Sequence, residues 1–235
     1  MKKSTKITLG IVSAAMISSG GFVYASFNGV PWKKVQVAQE LEKHVEKRYN
    51  TDVEVVDKYY NFKDGSYGAT FKVQEDKKEF TFAAEKTGSG NYLDYYVEEL
   101  WTSQLKEDSE PIIKQSFKNL PIESYDYIFI YGIADELQIK NDNIPNYKNV
   151  NSKLDLVLRL QDYWSEETKK KGINETYTLI QELKKRGIDN IGLIIYYKER
   201  SNEQEKGHFY GISFEAGDLK MVHTKEDVEK YFIEL

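Results

Sequence analysis

The chain has 235 residues, with 33 basic and 38 acidic side chains, a net charge of −5 and no cysteine. The missing thiols exclude disulfide staples, thiolate metal sites, a cysteine nucleophile and a lipobox lipoprotein. The acidic balance argues against nucleic acid as a partner and against anionic lipid headgroups as a docking surface.

In chain order, the first feature is an uncharged run from Ile7 to Phe27, preceded by Lys2, Lys3 and Lys6. A helix of about 20 residues at 1.5 Å each spans a hydrocarbon core of roughly 30 Å. Ser13, Ser18, Ser19, Gly20 and Gly21 dilute the run, and Val23-Tyr24-Ala25 is an A-x-A-like cleavage site before Ser26. The expectation is a membrane segment through residues 7–27, with the N-terminus inside and the body extracytoplasmic; the alternative is secretion after cleavage near Ala25. Without its leading lysines the exported part carries 30 basic and 38 acidic residues, a charge of −8. An exported chain without disulfides fits a bacterial, Gram-positive cell surface. The 18 tyrosines and 11 phenylalanines suit half-buried sheets with wet edges.

Pro31 stops the membrane helix and Trp32 belongs at headgroup level. Val35, Ala38, Leu41 and Val45 then predict an amphipathic helix over 33–49, with His44 beside its apolar edge as a packed or solvated side chain. Thr51 to Glu85 reads as three short strands, the first two joined at Asp64-Gly65, a signal for a type I′ hairpin turn.

Pro31-Trp32-Lys33-Lys34, the amphipathic helix, and Tyr59-Tyr60-Asn61-Phe62-Lys63-Asp64-Gly65-Ser66-Tyr67-Gly68-Ala69 together resemble the YfjL-like proteins, small Gram-positive proteins with an N-terminal membrane segment. The resemblance covers about residues 1 to 85. It implies an extracytoplasmic α/β protein on a membrane anchor and carries no activity, ligand or catalytic residue.

Residues 87–91 form a loop, and Tyr92 to Phe117 a helix broken near Pro111. A strand follows at 125–131, then an Asn-rich connection at 132–151. In the second half Leu154, Leu156, Leu158 and Leu160 alternate as a strand with one buried face. Asn174 is placed to cap a helix with stripe Tyr177, Ile180 and Leu183, ending at Gly187. Strands at 191–197 and 209–214 flank a charged loop at 199–207. A last helix opens at Thr224-Lys225-Glu226-Asp227 and buries Val228, Tyr231, Phe232 and Leu235. The expected fold is α+β: an N-terminal transmembrane or signal helix over 1–30, then two small two-layer units with helices on mainly antiparallel sheets. The units are 31–131 and 152–235, the latter in the order β-α-β-β-α, with 132–151 as the connection.

No pattern nominates a catalytic, cofactor-binding or metal-binding residue. Ser103-x-x-Lys106 and Lys86-Thr87-Gly88 match motifs of penicillin-recognising serine enzymes, but in the wrong order and without the intervening S-D-N. Gly88-Ser89-Gly90 lacks the strand-to-helix setting of a phosphate loop. His44, His208 and His223 are far apart, and Asn141-Asp142-Asn143 lacks the glycine and glutamate of a calcium loop. Glu98-Glu99 and Glu166-Glu167 read as solvated pairs in an acidic chain, and the sequon Asn174-Glu175-Thr176 as inert at a helix start. The sequence thus points to a non-enzymatic module contacting a protein or cell-wall partner through Tyr-bearing strands. A hydrolase of unrecognised type around His208 and His223, or a structural role at the lipid surface, are the alternatives.

Overall fold

Pro31 occupies the first turn of a 19-residue helix, where a missing N–H costs nothing. The computed structural model that shows this describes residues 21–73, 79–139, 143–198 and 210–234. Residues 7–20 of the apolar run, the turn residues at 75–78, Asn141, Asp142, the loop at 199–207, His208 and Leu235 lie outside the described residues. Residues 21–28 form helix α1, and Pro31–Tyr49 form α2. Among the described residues no helix is long and apolar enough to cross a membrane.

The fold is α+β, in two compact units that divide between Tyr96 and Val97. In the first, α2 buries Val37, Ala38, Leu41, Val45 and Tyr49, so its stripe begins at Val37 while Val35 stays exposed. It covers an antiparallel sheet of order β1-β2-β3-β4, formed by β1 (Val53–Asn61), β2 (Ser66–Val73), β3 (Thr81–Lys86) and β4 (Tyr92–Asp94). Tyr67, Ala69, Phe71 and Val73 alternate along the central strand and are buried, as one face of a period-two element must be. Phe71 stacks on Phe82, which meets the edge of Tyr96.

Two expectations change here. The β1–β2 connection is a four-residue loop, with Asn61 opposite Ser66 and only Gly65 at positive φ (71°), so it is not a two-residue type I′ turn. Asp64 is held instead by its side chain, which accepts from the Ser66 backbone and hydroxyl and from Asn61 Nδ2. Tyr92–Asp94, expected to begin a helix, pairs with β3 as an edge strand.

The second unit begins in α3 (Tyr96–Ser116), which runs through Pro111 without a break. Ile112 and Ile113 on the far side of the proline are fully buried, and that packing holds the turn together despite the lost N–H. Its mixed sheet has the order β5-β6-β7-β8-β9, from β5 (Ile122–Phe129), β6 (Leu154–Tyr163), β7 (Gly192–Lys198), β8 (Tyr210–Phe214) and β9 (Phe232–Glu234). Strand β5, grouped by sequence with the first half, pairs with β6 in this sheet. Helix α5 (Glu166–Lys185) makes the parallel crossover from β6 to β7; the other pairings are antiparallel. The register puts Tyr127, Leu156 and Leu193 on one face, and Tyr125, Leu158, Ile195 and Ile212 beside them. Helices α3 and α5 cover that face: Ser109 bonds the Tyr127 hydroxyl and Tyr197 donates to the Thr168 carbonyl.

The N-cap of helix α5 lies nine residues before the expected one, so Asn174 lies inside the helix. Ser165 is the N-cap and closes a capping box with Thr168, which lets the polar stretch 166–173 join the helix. Gly187 (φ 71°) ends it as expected, with Gly187 N–H bonding Lys184 O and Ile188 N–H bonding Leu183 O. The connection holds α4 (Ile133–Glu136) and a 3₁₀ turn capped by Asn146. The Thr224–Asp227 capping box forms, but α6 spans only Lys225–Glu229. Phe232 does not continue it, because it pairs with Ile212 across the β8–β9 ladder.

Candidate functional site

The first unit carries a cleft of about 310 Å³ where the N-terminal turns of α2 meet the loop after β3. Each wall follows from local structure. Pro31 starts the helix so that Trp32, Lys33 and Gln36 project from its first turns, and Gly29 lies against the Tyr60 ring, where a Cβ would overlap it. The Tyr67 hydroxyl accepts from Val30 N–H at 3.0 Å, and Lys33 Nζ sits 4.6 Å above the Tyr67 ring. On the other side, Thr87 bonds Ser89 and the Asn91 backbone, closing the loop around Gly90 (φ 89°).

Glu40 and Lys86 meet in this cleft, 46 residues apart in sequence, with Nζ 2.6 Å from Oε2. Gln36 Nε2 donates to the other oxygen at 3.0 Å. The bond from Lys86 holds the Glu40 carboxyl below the usual carboxylate range, and the same bond raises Lys86 above the usual lysine range. Both groups are therefore charged at neutral pH. An acid or base catalyst needs a pKa near the working pH, so this pair suits recognition of charge better than proton transfer. Exposed Trp32 adds an aromatic platform at the rim.

Behind the cleft the polar contacts continue. Lys86 lies over the Tyr92 ring, and His44 stacks on that ring at 4.6 Å. His44 Nε2 is 3.7 Å from Asp94, whose carboxylate binds Arg48 at 2.8 Å and the Tyr49 hydroxyl at 2.6 Å. Burial favours the protonated form of Asp94, but His44, Tyr49 and the Arg48 charge together outweigh it and its pKa is lowered. His44 is thus part of a packed network, as its place on the helix suggests.

The remaining candidates are distributed over both units. Lys86-Thr87-Gly88 lies in the first unit and Ser103 in the second, on α3. His223 is exposed. Glu98-Glu99 corrects the expectation of a solvated pair: Glu98 is fully buried and accepts from Ala134 N–H at 3.2 Å, while burial and Glu98 raise the Glu99 pKa. Both sit in the first turn of α3, where carboxylates are favoured by the helix dipole. Glu166 and Glu167 are exposed, as read, and Glu167 also pairs with Lys171. Glu175 of the sequon is buried and accepts from the backbone of Lys118, Asn119 and Leu120. No group of three or more His, Asp or Glu that could hold a metal occurs among the described residues. Sequence reasoning missed the Glu40–Lys86 pair, since nothing local ties a helix position to a strand end.

Residues 1–94 match the family described as YfjL-like, N-terminal domain, which bears out the resemblance read from the N-terminal third. The matched stretch ends at Asp94, the last residue of β4 and two residues before the division between the units. Comparison with curated proteins and with solved structures gives no match.

Proposed function

We propose that this protein is a membrane-tethered extracytoplasmic binding module of a Gram-positive surface, non-enzymatic, whose ligand or partner enters the cleft of the first unit. The tether is the uncharged run 7–27 behind Lys2, Lys3 and Lys6, an arrangement that favours an N-terminus inside. The observation that carries the binding role is the Glu40–Lys86 pair, locked in its charged state beside Lys33 and Trp32. Fixed charges and an aromatic platform select a polar partner such as a cell-wall glycan or an extended peptide.

Two measurements test this. Protease added to intact cells should digest the tagged body while cytoplasmic markers survive; a protected body would refute the topology. Pull-down from crosslinked envelopes with the wild type and with Lys86→Ala should show at least about a tenfold loss of the captured partner in the variant, the effect of removing a charged contact. An unchanged yield would move the binding role away from the cleft.

A further inference from the structure

Helix α1 and the tip of the β1–β2 hairpin share an exposed apolar surface. Phe22, Val23, Tyr24 and Phe27 are all more than half exposed on α1, as are Trp32 and Phe62. Phe62 is 35 residues beyond Phe27, yet their rings lie 5.8 Å apart. Two contacts set the chain leaving α1 against the hairpin: Gly29 on Tyr60, and Val30 N–H to the Tyr67 hydroxyl. Around these rings the charge is positive. Lys33 and Lys63 are exposed with Lys34 half-exposed beside them, and no acid occurs between Gly21 and Gln39. Asp64, the nearest acid on the hairpin, is engaged by Ser66 and Asn61.

We propose that this surface docks the first unit on the bilayer at headgroup level, through Phe27, Trp32 and Phe62 with Lys33, Lys34 and Lys63. The inference rests on the tethered reading and adds to it an orientation. A bilayer is the occupant the chemistry fits, because the patch continues directly into the uncharged run that begins at Ile7. Aromatic rings favour the interface, and lysines reach its phosphates. The body is acidic as a whole, so the local excess of lysine marks one side of it. Once docked, the unit holds the Trp32 rim of its cleft at the membrane surface, where a ligand would arrive along the bilayer or from the wall just above it.

The test uses the full chain reconstituted in phosphatidylcholine vesicles, with and without lipids brominated near the headgroup end of the acyl chain. Bromolipid should quench tryptophan fluorescence in the wild type, and Trp32→Phe should abolish the quenchable part. The double variant Phe62→Ser, Lys63→Glu should reduce quenching by at least about twofold while still floating with the vesicles, since the hairpin then loses its interfacial contact. Flotation without quenching in the wild type would overturn docking and leave the tether standing. So would quenching unchanged in the double variant, or a crosslinked dimer that buries Trp32. Quenching of a chain that alkaline carbonate strips from the vesicles would uphold docking and refute the tether, whereas neither flotation nor quenching would refute both.

Discussion

Asp94 in the first unit and Glu175 in the second are both buried carboxylates, but their partners differ in kind. Asp94 is held by side chains, Arg48 and Tyr49 from α2 with His44 alongside. Glu175 is held by backbone, accepting from the N–H groups of residues 118, 119 and 120 and from Asn119 Nδ2. The first arrangement fastens a helix to an edge strand through groups that can each be removed by substitution. The second fixes the path of a connection, from the end of α3 into β5, and of its donors only the Asn119 side chain can be removed by substitution. Loss of an acceptor strands several donors together, whereas loss of one donor leaves the carboxylate with others.

The comparison breaks most sharply at Glu175. Glu175→Ala should cost about 3–5 kcal/mol, because buried N–H groups lose a charged partner. Hydrogen exchange should localise the loss to 117–129 and α5, and wild-type protection there would refute the difference. Asp94→Asn should cost about 2–3 kcal/mol, as Arg48, His44 and the Tyr49 hydroxyl lose a buried carboxylate charge, and Tyr49→Phe about 1 kcal/mol. Chemical denaturation of each variant orders these effects.

The pH dependence sharpens the same contrast. The folded pKa of Asp94 is lowered, so its contribution is fully present above the unfolded value of about 3.9. It is lost as pH falls through the folded value. Acid titration of stability should show a step below about pH 4 in the wild type that is smaller in Asp94→Asn. Equal acid sensitivity in the two proteins would show that the carboxylate gains nothing from its partners.

A smaller effect concerns glycine under tyrosine, an arrangement found in both units. Gly68 lies against the Tyr59 ring and Gly172 beneath the Tyr197 hydroxyl, and a Cβ at either site would overlap its tyrosine. Tyr59 is half-buried, whereas Tyr197 is 4% exposed and bonded to Thr168 O. Gly172→Ala should therefore lose about 1 kcal/mol net, the overlap exceeding the gain in helix propensity. Adding Tyr197→Phe should make the double variant more stable than the sum of the singles. The smallest effect is at the cleft, where Glu40→Gln should change stability by at most about 0.5 kcal/mol, as for a partly exposed pair.

Periodicity and end signals made much of this fold legible. The leucine alternation in β6, the apolar stripe of α2, Gly187 and the Thr224 capping box are local patterns with local consequences. The failures are equally specific. Asn174 looked like a cap because the apolar stripe begins after it, yet Ser165 and Thr168 start the helix earlier. Phe232 fits a helical stripe, yet its ladder with Ile212 makes it strand. At the cleft, Trp32 and Lys33 stood out beside Pro31, while Glu40 and Lys86 were anonymous charges in a chain rich in both signs.

By itself the sequence determined the α+β class, the absence of thiol chemistry, the uncharged run behind three lysines and most helix and strand positions, since each depends on composition or on spacing within one element. Only the tertiary structure decided that β5 joins the second sheet, that Glu98 and Glu175 are buried, that Glu40 faces Lys86 and that Phe62 meets Phe27. Those outcomes depend on which surfaces meet across tens of residues, and no local pattern carries the free energy of that meeting.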